Sequence, residues 1–353
     1  MAKVGGSLLE VARKCAVSQS TVSRVLNNAN HGRFSVSPQV RSKILAAARD
    51  LNYRPSIAAR NLAVTKTHLV AVLGVGGFWS DRVGPIEEAV GAMARKLDAA
   101  GYEICIQISS PRHGPFDLPR LRVDGVAALV PASLDELKPL EESKIPYVSI
   151  DGIVGPHGAQ VVADDAGGTR RALRHLVELG HRRIAYFDNP STSPHLSVRV
   201  RREAFEQSAA EMGFSVPQID LPRSAVGVPW EPYYEPFLRG AVIEGKATAL
   251  LCYSHYGAMS LLRKAYDLGL SVPKDFSLMC FNNEPVLSLS VPSITAVDVP
   301  SVPLGESAAD LLLRAMSSVG KPAPQRCMRV EETLIIREST APPGRAIGGS
   351  KLG

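Results

Sequence analysis

The sequence has few cysteines and no long apolar run, and each shortage excludes a class of protein. Its five cysteines are scattered and odd in number, without a Cys-x-x-Cys pair, so neither a disulfide framework nor a structural zinc site is indicated. No stretch approaches the roughly 18 uncharged apolar residues of a membrane span. The N-terminal segment MAKVGGSLLEVARK lacks the apolar core of a secretory signal. We therefore expect a protein of a reducing cytoplasm.

Signatures of metal-binding and catalytic sites are also missing. The eight histidines have no metal-ligand spacing, and the Gly-x-Gly-Gly of LGVGGF (73–78) lacks the full spacing of a dinucleotide fingerprint. The sequence has no Walker motif, no nucleophile elbow and no catalytic dyad at a usable spacing. We therefore predict no metal, no cofactor and no enzymatic activity, and we interpret LGVGGF as a turn that lines a cleft.

Positive charge is present, and it is concentrated at the N-terminus. The first 60 of the 353 residues carry ten Lys or Arg and only two Asp or Glu, whereas the remainder carries 30 basic and 32 acidic residues. A small basic domain on a near-neutral body is typical of a protein that binds a polyanion. On charge alone, a basic surface that serves only solubility remains the alternative.

The N-terminal pattern predicts three short helices within residues 1–55, with Ser18 as the N-cap of the second and Ser37 as the N-cap of the third. The first helix, the tight connection CAV (15–17) and the second helix form a helix-turn-helix, whose second helix enters the DNA major groove. A three-helix domain that binds another protein is the alternative reading of this pattern.

The second helix carries side chains suited to DNA. Gln19 can pair in bidentate fashion with adenine, and Ser20 can hydrogen-bond with several bases. The short hydroxyls of Thr21 and Ser23 suit phosphate oxygens, while Arg24 reaches either a guanine edge or a phosphate. We therefore predict that this helix both reads bases and fixes the domain on the DNA backbone.

From residue 68 onward, apolar runs alternate with amphipathic helices, which predicts parallel sheets covered on both faces. The strand candidates are 69–75, 103–108, 126–130, 147–150, 183–187, 249–253 and 277–281. The helix candidates lie near 85–100, 134–143, 167–180, 199–213, 256–268 and 303–318. A length of roughly 270 residues accommodates two such sheets.

Two segments flank this core. SIAARNLA (56–63) is Ala-rich but shorter than the roughly 12–15 residues at which isolated helices become marginal in water, so we expect it to be helical only when something holds it. The C-terminal segment APPGRAIGGSKLG (341–353) is rich in Pro and Gly and has no heptad pattern, so we expect it to be disordered.

The segments EVARKCAVSQSTVSRVLN (10–27) and VSPQVRSKILAAARDLNYRPSIAARNLA (36–63) resemble the headpiece and hinge of the LacI/GalR family of bacterial transcription regulators. VVADDAGGTRRALRHLVELGHRRIAY (161–186) and further blocks follow in family order, so the resemblance covers about residues 8–338. It implies an α/β protein with an N-terminal three-helix helix-turn-helix headpiece. The headpiece precedes a two-lobed, periplasmic-binding-protein-like core of doubly wound parallel sheets.

The resemblance also implies a homodimer that binds a near-palindromic operator, and a small effector bound between the lobes. The implied segments are a headpiece (1–55), a hinge helix and linker (56–67), a core (68–340) and the tail (341–353). The implied lobes are an N-lobe of about 68–163 with 298–322 and a C-lobe of about 164–297 with 323–338. In the family the hinge forms a minor-groove helix on DNA, and Leu62 matches the leucine that enters a central base step.

Together these arguments give one set of predicted DNA-binding residues. The loop residue Arg33 is interpreted either as a further phosphate contact or as a solvated side chain. The predicted DNA-binding residues are Ser18, Gln19, Ser20, Thr21, Ser23, Arg24, Asn27, Arg33, Tyr53, Ala59 and Leu62.

The predicted effector pocket lies at the carboxyl ends of strands. Asp151 and Asn282 directly follow strand candidates, and ligands of open α/β sheets bind at that edge. The resemblance assigns an effector contact to Arg201, and a carboxylate, an arginine and an amide around an aromatic ring suit a polyhydroxylated ligand. An ion pair with a purely structural role is the alternative for Asp151 and Arg201. The predicted effector-binding residues are Phe78, Trp79, Asp151, Arg201, Trp230, Tyr253 and Asn282.

The pocket departs from the family pattern in two places. Tyr253 and Ser254 occupy positions where the family usually has Asn-Asp, and Asn282-Asn283 occupies a position where Asp-Asp is common. We therefore expect a pocket short of carboxylates, which would suit an acidic effector. A different sugar, an effector that is not a sugar and a lost effector response remain open.

These observations favour a sequence-specific, effector-controlled transcription regulator of the repressor kind. A small-molecule-binding protein that shares the core fold without operator switching, such as a sugar-binding transport component, is the alternative. The basic headpiece and the missing secretory signal disfavour it. A doubly wound enzyme is the third hypothesis, and no catalytic motif supports it.

Overall fold

The computed structural model describes residues 7–26, 36–53, 66–74, 84–107, 114–188, 195–219, 231–317 and 327–344. The chain divides into two compact units, residues 1–67 and 68–353. The predicted hinge helix lies outside the described residues, as does the tail from 345 onward. The boundaries predicted at 55 and 67 stay predictions.

The first unit contains the three predicted helices: α1 (Leu8–Cys15), α2 (Gln19–Leu26) and α3 (Pro38–Asp50). A serine side chain at the start of each helix accepts a hydrogen bond from a backbone N–H group that has no partner within the helix. The Ser37 hydroxyl accepts from Val40 N at 3.3 Å, with Pro38 in the first helical position, as predicted. All three helices contribute to one small core of Val11, Ala12, Cys15, Val22, Val25, Ile44, Ala47 and Ala48.

The second unit contains two sheets, which confirms the predicted α/β architecture. The first sheet has the order β10-β5-β4-β3-β1-β2, and all its strands are parallel. Its strands are β1 (Leu69–Leu73), β2 (Glu103–Ile106), β3 (Gly125–Leu129), β4 (Tyr147–Ile150), β5 (Ala159–Ala163) and β10 (Cys327–Val330). The helices beside it are α4 (Pro85–Ala99), α5 (Leu134–Ser143) and α11 (Ser301–Ser317).

The second sheet has the order β11-β9-β8-β7-β6 and is parallel except for its edge strand β11. Its strands are β6 (Ile184–Phe187), β7 (Ala249–Cys252), β8 (Ser277–Phe281), β9 (Thr295–Asp298) and β11 (Thr333–Ile335). The helices beside it are α6 (Asp165–Glu178), α7 (Leu196–Met212), α8 (Glu231–Leu238), α9 (His255–Asp267) and α10 (Val286–Leu289). A π-helical segment, Arg239–Glu244, continues α8.

The chain passes between the sheets three times. The crossovers lie between β5 and α6, between β9 and α11, and between β10 and β11. We predicted that residues 323–338 belong to the C-lobe, but β10 within that range pairs with β5 in the first sheet. This part of the prediction is wrong because β10 is an edge strand of only four partly exposed residues, too short for the sequence pattern to indicate its sheet. The third crossover is therefore the dipeptide 331–332.

Order continues into the segment predicted as a disordered tail. The Ala341 carbonyl accepts hydrogen bonds from the Ser277 hydroxyl at 3.0 Å and lies 3.0 Å from His181 Nε2. A backbone carbonyl that satisfies two buried polar groups is tied to the second sheet, so the disordered segment cannot begin at 341. Across the ranges described above, no helix has the length and apolar content needed to cross a membrane.

Helices α4 and α11, which lie beside the first sheet, pack closely at a glycine. Gly305 on α11 lies against the backbone of α4. A Cβ at position 305 would overlap the carbonyl oxygen of Ala89, which is backbone and cannot move aside. The side chain of any other residue would therefore push the helices apart.

We predict that Gly305→Ala destabilises the protein by roughly 1–3 kcal/mol, because overpacking displaces α11 from α4. Gly91→Ala on α4 is the matched control, since a Cβ there meets only the end of the Arg95 side chain at 3.6 Å. It should stabilise by about 0.5–1 kcal/mol through helix propensity. Urea unfolding of both variants measures the difference, and equal stabilities would contradict the packing argument.

Candidate functional site

Helix α2 presents a polar face to solvent over a buried apolar face. Val22 and Val25 lie in the core of the first unit, whereas Gln19, Ser20 and Arg24 are exposed. Because positions three and four apart share one side of a helix, the valines fix which side faces outward. The two predicted base-reading side chains therefore lie on the accessible surface of this unit.

The hydroxyl groups at the start of α2 form a local network. The Ser18 hydroxyl accepts from Thr21 N at 3.1 Å, which confirms Ser18 as the N-cap. The same oxygen lies 2.8 Å from Ser20 Oγ and 2.8 Å from Thr21 Oγ1. These hydroxyls surround the positive end of the helix, a place that favours phosphate oxygens.

Among the other predicted DNA-binding residues, Ser23 lies half-buried on α2, and the rest fall into two groups. Tyr53 follows α3 and packs half-buried against the same core, with its N–H donating to Ala48 O at 2.9 Å. Its position shows a packing role within the unit. The remaining four lie outside the described residues: Asn27, Arg33, Ala59 and Leu62.

In the second unit, the side chain of Arg201 on α7 is buried; two of its three guanidinium nitrogens donate hydrogen bonds, and the third faces a carboxyl group. Nε donates to Asp165 Oδ1 at 2.5 Å, and Nη1 donates to the backbone carbonyl of Tyr253 at 3.0 Å. Nη2 lies 3.6 Å from Glu332 Oε1. Arg201 is 3 % exposed, so it needs all three partners to offset its lost hydration.

Two aromatic rings at strand ends flank the guanidinium. The Arg201 Cζ atom lies 3.9 Å from the ring centroid of Phe281, the last residue of β8. It lies 5.0 Å from the ring centroid of Tyr253, which directly follows β7. Both distances are within the range of cation–π attraction, so the rings hold the planar group in orientation.

A polar relay continues from this cluster toward the first lobe. Ser197 Oγ lies 2.7 Å from both Tyr253 Oη and His195 Nδ1, and His195 Nε2 lies 3.9 Å from Asp151 Oδ2. Asp151 follows β4 of the first sheet in a left-handed conformation, φ 54°. The relay therefore joins the strand ends of both lobes, which is where a ligand between the lobes would bind.

Burial dominates the protonation of the carboxylates around Arg201. It raises the pKa of Glu332 to about 8; the Arg201 charge opposes this rise, and the charges of Asp165, Asp151 and Asp164 add to it. Burial also raises the pKa of Asp151 and of Asp165, again opposed by Arg201. Three carboxyl groups thus share one guanidinium: burial favours their protonated forms, and Arg201 favours their ionised forms.

The histidine of the relay is neutral at physiological pH. Burial lowers the pKa of His195 to about 4, with the Asp165 charge opposing the fall and the Arg201 charge adding to it. A neutral imidazole both donates and accepts a hydrogen bond, so His195 can connect Ser197 to a carboxylate or to a ligand hydroxyl.

The expectation of a pocket short of carboxylates is wrong for the described residues. Asp151, Asp165 and Glu332 surround Arg201, and only Asp151 among them was predicted. Asp165 was not predicted as a site residue because the sequence pattern did not indicate β5, the strand before it. Glu332 escaped notice because β10 was assigned to the other lobe.

The alternative of a structural ion pair between Asp151 and Arg201 is wrong as stated, because Arg201 pairs with other carboxyl groups. Arg201 pairs with Asp165 and Glu332, while Asp151 accepts from Ala163 N at 3.5 Å and faces His195. The site therefore combines a structural ion pair with the groups predicted to meet an effector.

Asn282 lies away from the contacts of this cluster. It follows β8 with a left-handed φ of 67°, and its carbonyl accepts from Glu284 N at 2.8 Å. The neighbouring Asn283 accepts from Arg337 Nη2 at 2.6 Å through Oδ1. The predicted aromatic partners lie outside the described residues: Phe78, Trp79 and Trp230.

A cavity of about 1010 Å³ lies where both lobes meet the second and third crossovers. Its lining includes Glu331 and Thr333, which flank Glu332, and also Asn283. The cavity is large enough for a small molecule. Among its described lining residues the charged ones are all acidic: Glu87, Glu88, Glu284, Asp298 and Glu331.

Comparison with known proteins agrees with both units. Residues 7–56 match the model of bacterial regulatory proteins of the lacI family, and residues 173–340 match that of the periplasmic-binding-protein-like domain. The chain is therefore similar to lacI-family regulators in its first unit and to periplasmic-binding-protein-like domains in its second. The names of the relatives below describe transcription regulators rather than enzymes.

Two relatives match the chain almost end to end. The HTH-type transcriptional regulator MalR of Streptomyces coelicolor is 28% identical over 353 residues, which covers 95% of this chain and 96% of the relative. The HTH-type transcriptional repressor PurR of Klebsiella pneumoniae is 28% identical over 346 residues, which covers 95% of this chain and 97% of the relative. These identities extend through headpiece and core alike.

A solved structure shares the fold. The lac repressor dimer bound to operator and the anti-inducer ONPF aligns with a TM-score of 0.76 at 22% identity. The alignment covers 96% of this chain and 100% of that chain. At this identity the likeness shows the fold alone.

We predict that Arg201→Ala destabilises the second unit by about 3–5 kcal/mol, because it leaves buried carboxylates without their counter-charge. Arg199→Ala is the matched control on the same helix, since Arg199 makes an exposed i,i+4 pair with Glu203 at 3.2 Å. Its loss should cost about 0.5 kcal/mol or less. Chemical unfolding of both variants gives the comparison; a small effect of Arg201→Ala would contradict the buried-pair assignment.

Proposed function

We propose that the chain is a sequence-specific DNA-binding transcription regulator of the repressor kind, whose operator affinity is controlled by a small effector bound between the core lobes. The observation that carries the proposal is the outward polar face of α2 in a basic unit, where Gln19 and Ser20 are exposed above buried valines. The match to the LacI-family model covers this helix.

The DNA-binding part follows from charge and geometry. An exposed helix with amide and hydroxyl side chains fits the major groove, where each base pair presents its own donor and acceptor pattern. The surrounding Lys and Arg residues supply the attraction to phosphate that is independent of sequence. We assign base reading to Gln19 and Ser20, and backbone contacts to Thr21, Ser23 and Arg24.

The effector part follows from the position of the Arg201 cluster. Asp165 and Glu332 lie at the first and third crossovers, and Asp151 lies at the strand edge of the other lobe. A ligand bound among these groups contacts both lobes, so its affinity depends on their arrangement. A ligand with different affinities for two arrangements shifts the balance between them, and operator affinity changes with it.

The charges of the site favour an uncharged, hydroxylated effector, which we propose to be a sugar or a sugar derivative. The Arg201 guanidinium already has carboxylate partners, and the described charged residues that line the neighbouring cavity are acidic. An anionic ligand would meet these carboxylates at close range, so an acidic effector is disfavoured. Hydroxyl groups can pair with carboxylate, imidazole and tyrosine groups of the relay.

A homodimer is part of the proposal. Two-fold related headpieces match the symmetry of a near-palindromic operator. The second lobe exposes the large apolar side chains of Leu289 and Val291, at 80% and 92%. An apolar surface of this kind is typical of an interface, and we assign it to contact with a second copy of the chain. The proposed location is the cytoplasm, with the protein on the nucleoid when bound to DNA, and the proposed mechanism contains no catalytic step.

Selection of genomic fragments by the purified full-length protein tests the proposal. Recovered duplexes should share a near-palindromic site and bind with a steep negative slope of log affinity against log salt concentration. Recovery of no shared site, together with sugar binding by the same preparation, would instead favour a small-molecule-binding protein without operator switching.

We predict that Gln19→Ala lowers affinity for a selected duplex by about 1–3 kcal/mol, because a bidentate base contact is lost. Affinity for an unrelated duplex and the salt slope should not change, since phosphate contacts remain. Gln39→Ala is the matched control, an exposed glutamine in the first turn of α3. Anisotropy titrations measure all three quantities; an equal loss on both duplexes would exclude base reading by Gln19.

We predict that Asp151→Asn weakens effector-induced change of operator affinity at least about tenfold while leaving operator affinity without effector unchanged, because a charge-assisted hydrogen bond contributes roughly 1.5–3 kcal/mol. The effector is found first by thermal-shift screening of neutral mono- and disaccharides. Asp310→Asn is the control, because Asp310 pairs with Lys96 at 2.7 Å on the partly exposed face of α11. A normal response of Asp151→Asn would remove Asp151 from the effector site.

A further inference from the structure

Glu332 occupies a singular place in the fold. Strand β10 ends at Val330 in the first sheet and β11 begins at Thr333 in the second, so the third crossover consists of Glu331 and Glu332 alone. The Glu331 side chain is exposed and pairs with Arg171 at the surface. Glu332 is 0% exposed. A carboxyl group is rarely buried this completely without a specific partner.

The carboxyl group of Glu332 packs against a glycine of the neighbouring helix α6. A Cβ at Gly168 on α6 would overlap Glu332 Oε2, so the glycine permits the carboxyl group to lie against the helix backbone. Among the described residues, neither carboxyl oxygen has a hydrogen-bond partner. The close charged contact of Glu332 in the described structure is Arg201, at 3.6 Å. The carboxyl group is thus placed to act on Arg201.

The three groups that contact the Arg201 guanidinium come from different parts of the second unit. Nε is bound by Asp165 at the start of α6, and Nη1 by the Tyr253 carbonyl after β7. Both of these groups belong to the second lobe. Nη2 faces Glu332, which enters directly from a strand of the first sheet. The position of Nη2 is therefore the feature of the guanidinium that depends on the crossover between the sheets.

We propose that Glu332 is a positioning residue of the effector site, which fixes Nη2 of Arg201 from the crossover between the two sheets. The orientation in which Arg201 meets an effector then depends on the arrangement of the lobes. The identification of the ligand as an effector rests on the proposed function. The contact between Glu332 and Arg201 is a feature of the second unit alone.

The strength of this contact depends on the proton of Glu332. The charged groups that face Glu332 are Arg201 from α7, Asp165 and its neighbour Asp164 from the start of α6, and Asp151 from the end of β4. Burial raises the pKa of Glu332 to about 8, Arg201 opposes the rise, and the three aspartates add to it. Burial thus favours the carboxylic acid and Arg201 favours the carboxylate, so the proton of Glu332 sets the charge of this contact.

When it loses this proton, Glu332 becomes a carboxylate beside the other acidic groups. Its attraction for Nη2 of Arg201 increases, and so does its repulsion from Asp165 and Asp151. The guanidinium should therefore change its environment with the protonation of Glu332. This gives a signal that a carboxyl group with only a packing role would not produce.

Titration of the Arg201 Nε–H resonance tests the proposal without DNA or effector. Full-length protein labelled with ¹⁵N-arginine is recorded from pH 6.5 to 9, and the resonance is assigned by its absence in Arg201→Lys. We expect it to shift as Glu332 loses its proton, at a pH that burial moves above the ordinary carboxyl range. Glu332→Gln, which keeps the shape of the side chain, should remove the shift and retain the resonance. Glu331→Gln, the exposed neighbour, should leave the shift unchanged.

Two results would overturn the proposal. One is a resonance that stays constant over this pH range in the unsubstituted protein, an outcome that does not depend on how any variant folds. The other is the same shift in Glu332→Gln as in the unsubstituted protein. Neither result bears on operator binding, so a failure here is distinct from a failure of the proposed regulatory function.

Discussion

The burial of one guanidinium constrains the effector-binding half of this protein. Arg201 loses nearly all its hydration, and such a cation is stable only when protein groups replace the water at each nitrogen. The replacements are placed by the fold: Asp165 at the first crossover, the Tyr253 carbonyl at a strand end and Glu332 at the third crossover. A shift of any of these elements changes the surroundings of Arg201. The same constraint makes the site sensitive to the relative arrangement of the lobes.

In the first unit, helix α2 has one buried apolar face and one exposed polar face. Val22 and Val25 secure α2 against a small core, and the Ser18 hydroxyl caps its first turn. The side chains that remain outward are then Gln19, Ser20 and Arg24. The Ser18 hydroxyl lies within hydrogen-bond distance of the Ser20 and Thr21 hydroxyls at the start of the helix, which explains why this short stretch contains so many of them. They shape and satisfy the end of the helix that approaches DNA.

Much of the fold could be predicted from the sequence because its central strands are continuous apolar runs. Tyr147–Ile150 and Ser277–Phe281 agree with their predicted bounds, and so does helix Leu134–Ser143. The short strands Ala159–Ala163 and Cys327–Val330 carry weak patterns at or near the sheet edge, and they were missed. The acidic residues that follow them, Asp165 and Glu332, were therefore missed as well. Arg201 and Asp151 were found from the resemblance and from a strand end, but partners distant in sequence become visible only when the crossovers are placed.

In the proposed mechanism, a ligand between the core lobes and a duplex on α2 affect each other's binding through the same protein. Equilibrium linkage supplies the most direct measurement: effector affinity with and without a selected operator duplex, compared with operator affinity with and without effector. The account predicts that both ratios are equal and different from one. Effector binding that is indifferent to the operator, with both ligands bound tightly, would contradict it.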